Sequence, residues 1–263
     1  MSWARGARFL LAVWRANLLS AMEYRVSFLA QVAGMFLNDA ALFGFWTIYF
    51  QRFHEVRGWR LADVLLLFGT VAAGFGCATY LFGNVLRLAT VIAEGELDYY
   101  LSLPRPALLH ALASRSVPSG LGDLLFGFAT LAAVGAATPG EAARFALGAA
   151  LGAAVFVGFL VVVGSLSFWI GDATLLSGAV TQGMIMFSTY PFAVFDGWTR
   201  LLLFSLLPAA FVGAVPASLV RSFTWQSLGE LGLAAALSLA AGTALFQRGL
   251  ARYQSGSAMQ ARV

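Results

Sequence analysis

The chain is built from long apolar runs joined by short polar stretches. The runs cover residues 26–50, 61–85, 121–138, 145–171, 173–195, 201–220 and 231–247. A helix needs about 20 predominantly apolar residues to cross the hydrocarbon of a bilayer, and most of these runs reach that length without polar residues recurring at helical period. The sixth run, LLLFSLLPAAFVGAVPASLV, carries Pro208 and Pro216. Each proline removes a backbone donor and kinks or ends a helix, so this run reads as a broken, re-entrant pair of short helices. Irregular backbone at membrane depth survives only when packed on protein or lining a cavity. Six spans remain. Ahead of them, Trp3, Ala7, Leu10, Trp14 and Leu18 fall on one helical face and Arg5, Arg8 and Arg15 on the other. That pattern suits a helix lying in the membrane interface, with a cytoplasmic extension of the first span as the plainer alternative.

Composition removes the soluble option. Hydrophobic residues make up 60% and charged residues 11% of the 263 residues, and the mean hydropathy is +0.82, against about 25% charged residues in soluble domains. The fold class expected is an all-α integral membrane protein folded as a single domain over 1–263. Its parts are an interfacial helix at 3–22, a cytoplasmic segment at 86–104 between spans 2 and 3, and an extracellular re-entrant segment at 197–220. Arg15 interrupts the first apolar stretch too early for a cleaved signal.

All 16 basic residues are arginine. With both termini inside, Arg5, Arg8, Arg15, Arg25, Arg87, Arg105, Arg115, Arg248, Arg252 and Arg262 lie on the cytoplasmic side. Arg52, Arg57, Arg60, Arg144, Arg200 and Arg221 lie outside, an excess that favours this orientation. The net charge of +4 is spread along the chain and reads as membrane-surface anchoring, with no nucleic-acid stripe. Cys77 stands alone, so neither an internal disulfide nor a cysteine metal cluster can form.

The longest polar joint is RLATVIAEGELDYYLSLPRPALLHALASR. It begins as a helix with Arg87, Glu94 and Asp98 on one face, Gly95 permits a bend, and Pro104 and Pro106 end it. An acidic, bent helix in water between two spans is either a docking element or an ordinary solvated loop. Here the chain resembles the permeases of ABC-2-type ABC exporters, in particular a bacterial group of about 260 residues with six spans. The resemblance rests on EGELDYYLSLPRPALLHALASR and on YPFAVFDGWTRLLLFSLLPAAFVGAVPASLV. It implies that the first segment is a coupling helix seated in a groove of a separate ATPase, with Glu94, Gly95, Glu96, Leu97, Asp98 and Pro104 as coupling positions. It also implies that the second segment forms short extracellular helices before the last span. The partners expected are an ABC ATPase in two copies, a second permease identical or related, and the lipid bilayer. ATP and Mg would be held on the ATPase, with no cofactor in this chain, and the location expected is the bacterial inner membrane.

A chain without lysine cannot supply the P-loop lysine that reaches the β and γ phosphates of ATP, so hydrolysis belongs to another polypeptide and the chain reads as a transport subunit, not an enzyme. A membrane serine protease needs a basic partner for its serine, but His54 and His110 both fall in joints. Acids occur singly within the spans. Asp39, midway along the first, reads either as a polar group facing a substrate route or as a hydrogen-bonded bridge involving Asn38, since an ionised aspartate at mid-membrane costs about 2.5–3.5 kcal/mol. Asp123 lies nearer a helix end and reads as snorkelling towards the interface; Asp172 ends the fourth span. Met184, Met186, Phe187 and Tyr190 are candidates to line a hydrophobic route, and equally ordinary packing residues. Gly148 and Gly152 would allow two helices to approach closely. A secondary transporter using Asp39 or Asp123 for its coupling proton, and a scaffold that only docks a partner through 86–116, are the competing functions. The first lacks the visible internal repeat usual in that class.

The six-span orientation has a direct test. Cysteines placed at Ala4, Ser102 and Ser257 should not react with an impermeant thiol reagent applied to intact cells, whereas one near Ser218 should. Labelling at Ser257 from outside would contradict it.

Overall fold

The structure, a computed structural model, describes residues 3–136, 138–190 and 195–253. Among these it is helical, with no strand and a single isolated bridge between Val56 and Trp59. Helix α1 (Trp3–Glu23) leads through Tyr24 into α2 (Arg25–Arg52), and α3 (Leu61–Phe82) runs back. At the far end of α3 a 3₁₀ turn (Gly83–Arg87) and three short helices follow, α4 (Leu88–Ala93), α5 (Leu97–Leu101) and α6 (Ala107–Ala113). Then come α7 (Gly120–Ala133), α8 (Pro139–Ser165), α9 (Ser167–Ile170) and α10 (Thr174–Ser188). The broken segment is α11 (Gly197–Ser205), a 3₁₀ turn (Ala209–Phe211) and α12 (Ala214–Arg221), before the final helix α13 (Trp225–Leu250).

Four stretches are long and apolar enough to cross a membrane: Arg25–Arg52, Leu61–Ala93, Pro139–Ile170 and Trp225–Leu250. The run at 121–138 yields only the 14-residue α7, and that at 173–195 only the 15-residue α10. At 1.5 Å per residue each is about 21–23 Å long, short of the roughly 30 Å hydrocarbon core. The apolar run at 201–220 is broken as its prolines predict.

Local signals explain the boundaries. Helix α8 opens on Thr138-Pro139-Gly140-Glu141: the Thr138 hydroxyl accepts from the Glu141 N–H at 3.3 Å, and the Glu141 carboxylate accepts from the Thr138 N–H at 3.1 Å. This capping box, with proline at the first helical position, satisfies donors that have no intrahelical partner. Asp63 does the same for α3, accepting from the Arg60 N–H at 2.9 Å, and also pairs with Arg221 at 2.9 Å, which ties α12 to the head of α3.

The core lies between α3 and α8. Helix α8 packs along α13, α3 and α12, while α7 is held between α2 and α3. Small residues make these approaches possible. A Cβ on Gly122 would collide with the Val32 carbonyl and lie 2.9 Å from the Cβ of Met35 on α2, and one on Gly158 of α8 would lie 2.5 Å from the backbone of Ser238 on α13. Gly148 and Gly152 do receive a neighbour closely, but it is the broken segment: their Cβ positions lie 3.2 Å from the Pro216 carbonyl and 3.3 Å from the Val212 carbonyl. In hydrocarbon, where burial drives no association between helices, such van der Waals contact carries much of the packing energy. Helices α2 and α13 leave most of their apolar surface open, including Val26, Leu37, Ile48, Leu233 and Leu237.

Helix α1 is fixed rather than loose. The Trp14 indole N–H donates to the Leu81 carbonyl at 2.8 Å, and the Asn17 amide donates to the Ala113 carbonyl at 2.9 Å. This places α1 against the end of α3 and against α6.

The packing predicts a contrast between two glycines. Gly122→Ala should destabilise by about 1–3 kcal/mol through overpacking. Gly232→Ala, where a Cβ meets nothing within 4 Å, should be neutral or stabilising by about 0.5–1 kcal/mol. Thermal unfolding of the two variants in detergent checks this, and equal midpoints would contradict it.

Candidate functional site

Two regions carry polar chemistry at opposite depths. The first is the joint between α4 and α5. Gly95 takes φ +79°, a left-handed conformation that glycine adopts without steric cost, and this single residue breaks the expected helix over 86–104 into α4 and α5. The result is a sharp knuckle, with the Gly95 N–H bonded back to the Ile92 carbonyl and the Asp98 N–H to the Gly95 carbonyl. Glu94, Glu96 and Pro104 are exposed, as is Tyr99, which the sequence did not single out. Leu97 is fully buried in the main core beside Val91 and Ile92, so it anchors the knuckle and presents nothing outward. Asp98 is half-buried against the Tyr253 hydroxyl, whose pKa is pushed up to about 12 by burial first and by Asp98 second. The tyrosine therefore stays protonated at all physiological pH values.

The knuckle is braced behind its exposed face. Arg87 pairs with Glu96 at 3.1 Å, and the Tyr100 hydroxyl and Ser114 hydroxyl lie 2.9 Å apart. His110 packs edge-on against Phe9 of α1 and against Tyr100. Burial, and secondarily Arg105, hold its pKa below the usual histidine range, so the ring is neutral at pH 7 and suited to this aromatic setting. Behind the knuckle, α4 rests on α8, where a Cβ on Gly164 would lie 3.0 Å from Leu88. Thr90 reaches Thr174 at the start of α10, 3.2 Å away, and Asp172 caps that start by accepting from the Thr174 N–H at 2.9 Å.

The second region lies within the bundle. Asp39 of α2 and Asp123 of α7, both buried, bring their carboxyl groups within hydrogen-bonding reach of each other. The Asn38 amide donates to Asp39 Oδ1 at 3.5 Å, while Oδ2 of each aspartate is buried without another partner. Asp123 thus does not snorkel to the interface as its place in the sequence suggests. Gly122 beside it draws α7 against α2, which leaves the carboxyl group directed between helices. Asp39 keeps both of its readings, as an acid bonded within the bundle and as an acid that faces a cavity of about 440 Å³.

Four helices supply the walls of that cavity: Met35, Asn38, Asp39 and Leu42 from α2; Phe68, Val71, Ala72 and Phe75 from α3; Asp123 from α7; and Gln182 and Ile185 from α10, with Thr189 just past its end. The route candidates on α10 separate. Met184 is fully buried in the main core, Phe187 packs with Leu203 and Phe195 on the broken segment, and Met186 and Tyr190 are exposed. It is the neighbouring stripe of Gln182, Ile185 and Thr189 that faces the acids. The partner of Asp39, 84 residues away, was not visible in the sequence. A further cavity of about 520 Å³ between α3, α6, α8 and α13, lined by Leu81, Leu112, Ala154 and Thr243 among others, has no charged residue in its lining.

The charged ends of the bundle are consistent in themselves. Arg87 and Arg105 gather with α1, α4–α6 and the end of α13, where Arg252 lies over Trp169. At the other end, Arg57 pairs with Asp196 at 3.0 Å, Arg221 lies over Trp59 and Arg144 over Phe223. Pro191 to Val194, part of the second motif, lie outside the described residues, as does the chain from 254 onward, Ser257 and Arg262 included. Among the described residues no group of three or more histidine, cysteine or acidic side chains is arranged to hold a metal.

No curated protein and no solved structure matches the chain significantly. A family described as ABC-2 family transporter protein matches residues 36–257, which takes in α2 from its first third, the knuckle, the acid pair, the broken segment and α13. By that match the chain belongs to the ABC-2 family of transporter proteins.

Proposed function

We propose that the chain is the permease subunit of an ATP-driven exporter. Two permeases form the substrate pathway, and two copies of a separate ATPase, holding ATP and Mg, drive it from the cytoplasmic side of a bacterial inner membrane. Both termini are cytoplasmic in this reading, with α7 and α10 completing six spans despite their shortness. The observation that carries it is the match to the ABC-2 family over 36–257.

The braced knuckle supplies the mechanical reasoning. Force from another subunit is useful only if the element it pushes is stiff and is joined to elements that move together. Glu94, Glu96, Tyr99 and Pro104 form the outward face. Leu97, the Arg87–Glu96 pair and the Tyr100–Ser114 contact fix that face to the core. From there α4 bears on α8, and α8 bears on α12 through Gly148 and Gly152. A push at the knuckle is thereby delivered to the broken segment at the opposite end.

The facing pair Asp39 and Asp123 favours one other reading, an ion-gradient-driven transporter in which the pair carries the coupling proton. The two differ in energy source. Transport in vesicles that needs ATP and persists when the proton gradient is collapsed supports the permease; transport that follows the gradient without ATP supports the alternative.

The coupling face can be tested by Glu94→Arg and Tyr99→Ala, exposed positions whose replacement leaves the core anchor intact. Each should cost about 1–2 kcal/mol of ATPase association, roughly a 5- to 30-fold loss, or preserve association while ATP hydrolysis no longer drives transport. Membrane insertion should be unchanged. Normal association together with normal transport in both variants would remove the coupling role from this face.

A further inference from the structure

Between α1 and the knuckle lies a further polar cavity of about 480 Å³, lined by α1, the end of α3, α5 and α6. Neither the outward coupling face nor the acid pair accounts for it. Hydrogen bonds already engage the amide nitrogens of Asn17 and Asn84 and the Ser114 hydroxyl. Two atoms are left over: Oδ1 of Asn84 and Nδ1 of His110 are buried without a hydrogen-bond partner. Asn84 is only 3% exposed. Buried polar atoms are nearly always satisfied, so these two call for a group that enters the cavity. That group must donate as well as accept, because an amide oxygen only accepts, whereas a neutral imidazole can present its N–H at Nδ1.

Charge narrows the choice. Arg87 and Arg115 line the same cavity, with Tyr99 and Tyr100, and no acidic side chain does. Glu96 balances Arg87 at 3.1 Å. The ion pairs among the described residues, Arg57–Asp196, Arg87–Glu96 and Arg221–Asp63, leave Arg115 out. The space therefore carries one net positive charge among hydrogen-bond donors. A guanidinium fork matches the paired oxygens of a phosphate. Water can satisfy orphaned polar atoms but brings no charge. A carboxylate brings only acceptors and leaves Asn84 Oδ1 unanswered. A phosphate ester with hydroxyl groups supplies both: its oxygens accept from the arginines and from His110, and a hydroxyl donates to Asn84.

We propose that this cavity is a binding site for a hydroxyl-bearing phosphate ester, with Arg115 as its main charge contact and Asn84 and His110 as the buried contacts that orient it. The phosphoglycerol group is the simplest that fits, either as the headgroup of an anionic phospholipid or as free glycerol phosphate. Basic pockets beside membrane helices hold anionic headgroups by the same chemistry. Because the walls come from α1, α5 and α6, the bound group ties α1 to the knuckle. The site goes beyond the permease reading and holds whichever energy source drives transport.

The purified chain in detergent, with no ATPase present, is titrated with dioleoyl phosphatidylglycerol and separately with glycerol 3-phosphate. Bound ligand is counted by native mass spectrometry. Dioleoyl phosphatidylcholine and glycerol serve as comparators without net charge. Saturable binding of one phosphoglycerol compound per chain is expected, at least about fivefold tighter than its comparator. Arg115 is exposed, so replacing it leaves the core intact. Arg115→Gln should lower the affinity roughly fivefold, and Arg115→Lys, which keeps the charge but not the fork, should recover only part of it. Arg52→Gln removes the same charge at the end of α2, away from the cavity, and should change nothing. Binding of the phospholipid alone assigns a headgroup, and equal binding of glycerol 3-phosphate assigns a soluble ester. No preference over the comparators, or equal losses in Arg115→Gln and Arg52→Gln, overturns the site. These results stand apart from ATPase association and ATP dependence, which decide the permease reading.

Discussion

Inside hydrocarbon a polar group must find its partner within the protein, because no water is there to serve. That constraint orders this molecule. Several threonine and serine hydroxyls in the bundle fold back on their own helices, as Thr70 does on Leu66, Thr130 on Phe126 and Ser188 on Met184. Asn84 is buried at the end of α3 and donates to the Ala111 carbonyl at 2.9 Å, which closes the turn into the knuckle. Among the described residues Asp39 and Asp123 are the buried acids, and each is the other's nearest answer. Their meeting depends on Gly122, since any side chain there would hold α7 away from α2.

The same close approaches connect the two ends of the molecule. Helix α8 touches α4 at Gly164, α13 at Gly158 and the broken segment at Gly148 and Gly152. A closely packed helix transmits displacement because interiors have little free volume to absorb it. The knuckle and the broken segment therefore belong to one mechanical body, while α2 joins the bundle through its contacts with α7 and α3.

Much of this was legible in the sequence. The apolar runs marked α2, α3, α8 and α13, the two prolines marked the broken segment, and Glu94-Gly95-Glu96 marked the place where the polar helix turns. Composition alone excluded a soluble fold. Reading the length of α7 and α10 failed because apolar character continues past the helix ends: α7 stops at Ala133 although the run extends to Thr138. Hydropathy registers the environment and not the hydrogen bonding that ends a helix. Leu97, which the resemblance places among the coupling positions, is turned inward by helical phase and packs in the core. Asp123 was misplaced for a deeper reason. Its partner is distant in sequence, and only the packing of α7 on α2, set by a glycine rather than by either acid, brings the two together.

The central claim is that meeting of α2 and α7 at the acids. It is tested by replacing Asp39 and Asp123 with cysteine in a chain whose Cys77 is serine, then treating membranes with a short thiol-bridging reagent and cutting the chain between α2 and α3. The account predicts that the fragments stay joined until the bridge is reduced, and that a control pair of Leu37→Cys, on the exposed face of α2, with Asp123→Cys separates. Fragments that separate for the first pair as readily as for the control would contradict it.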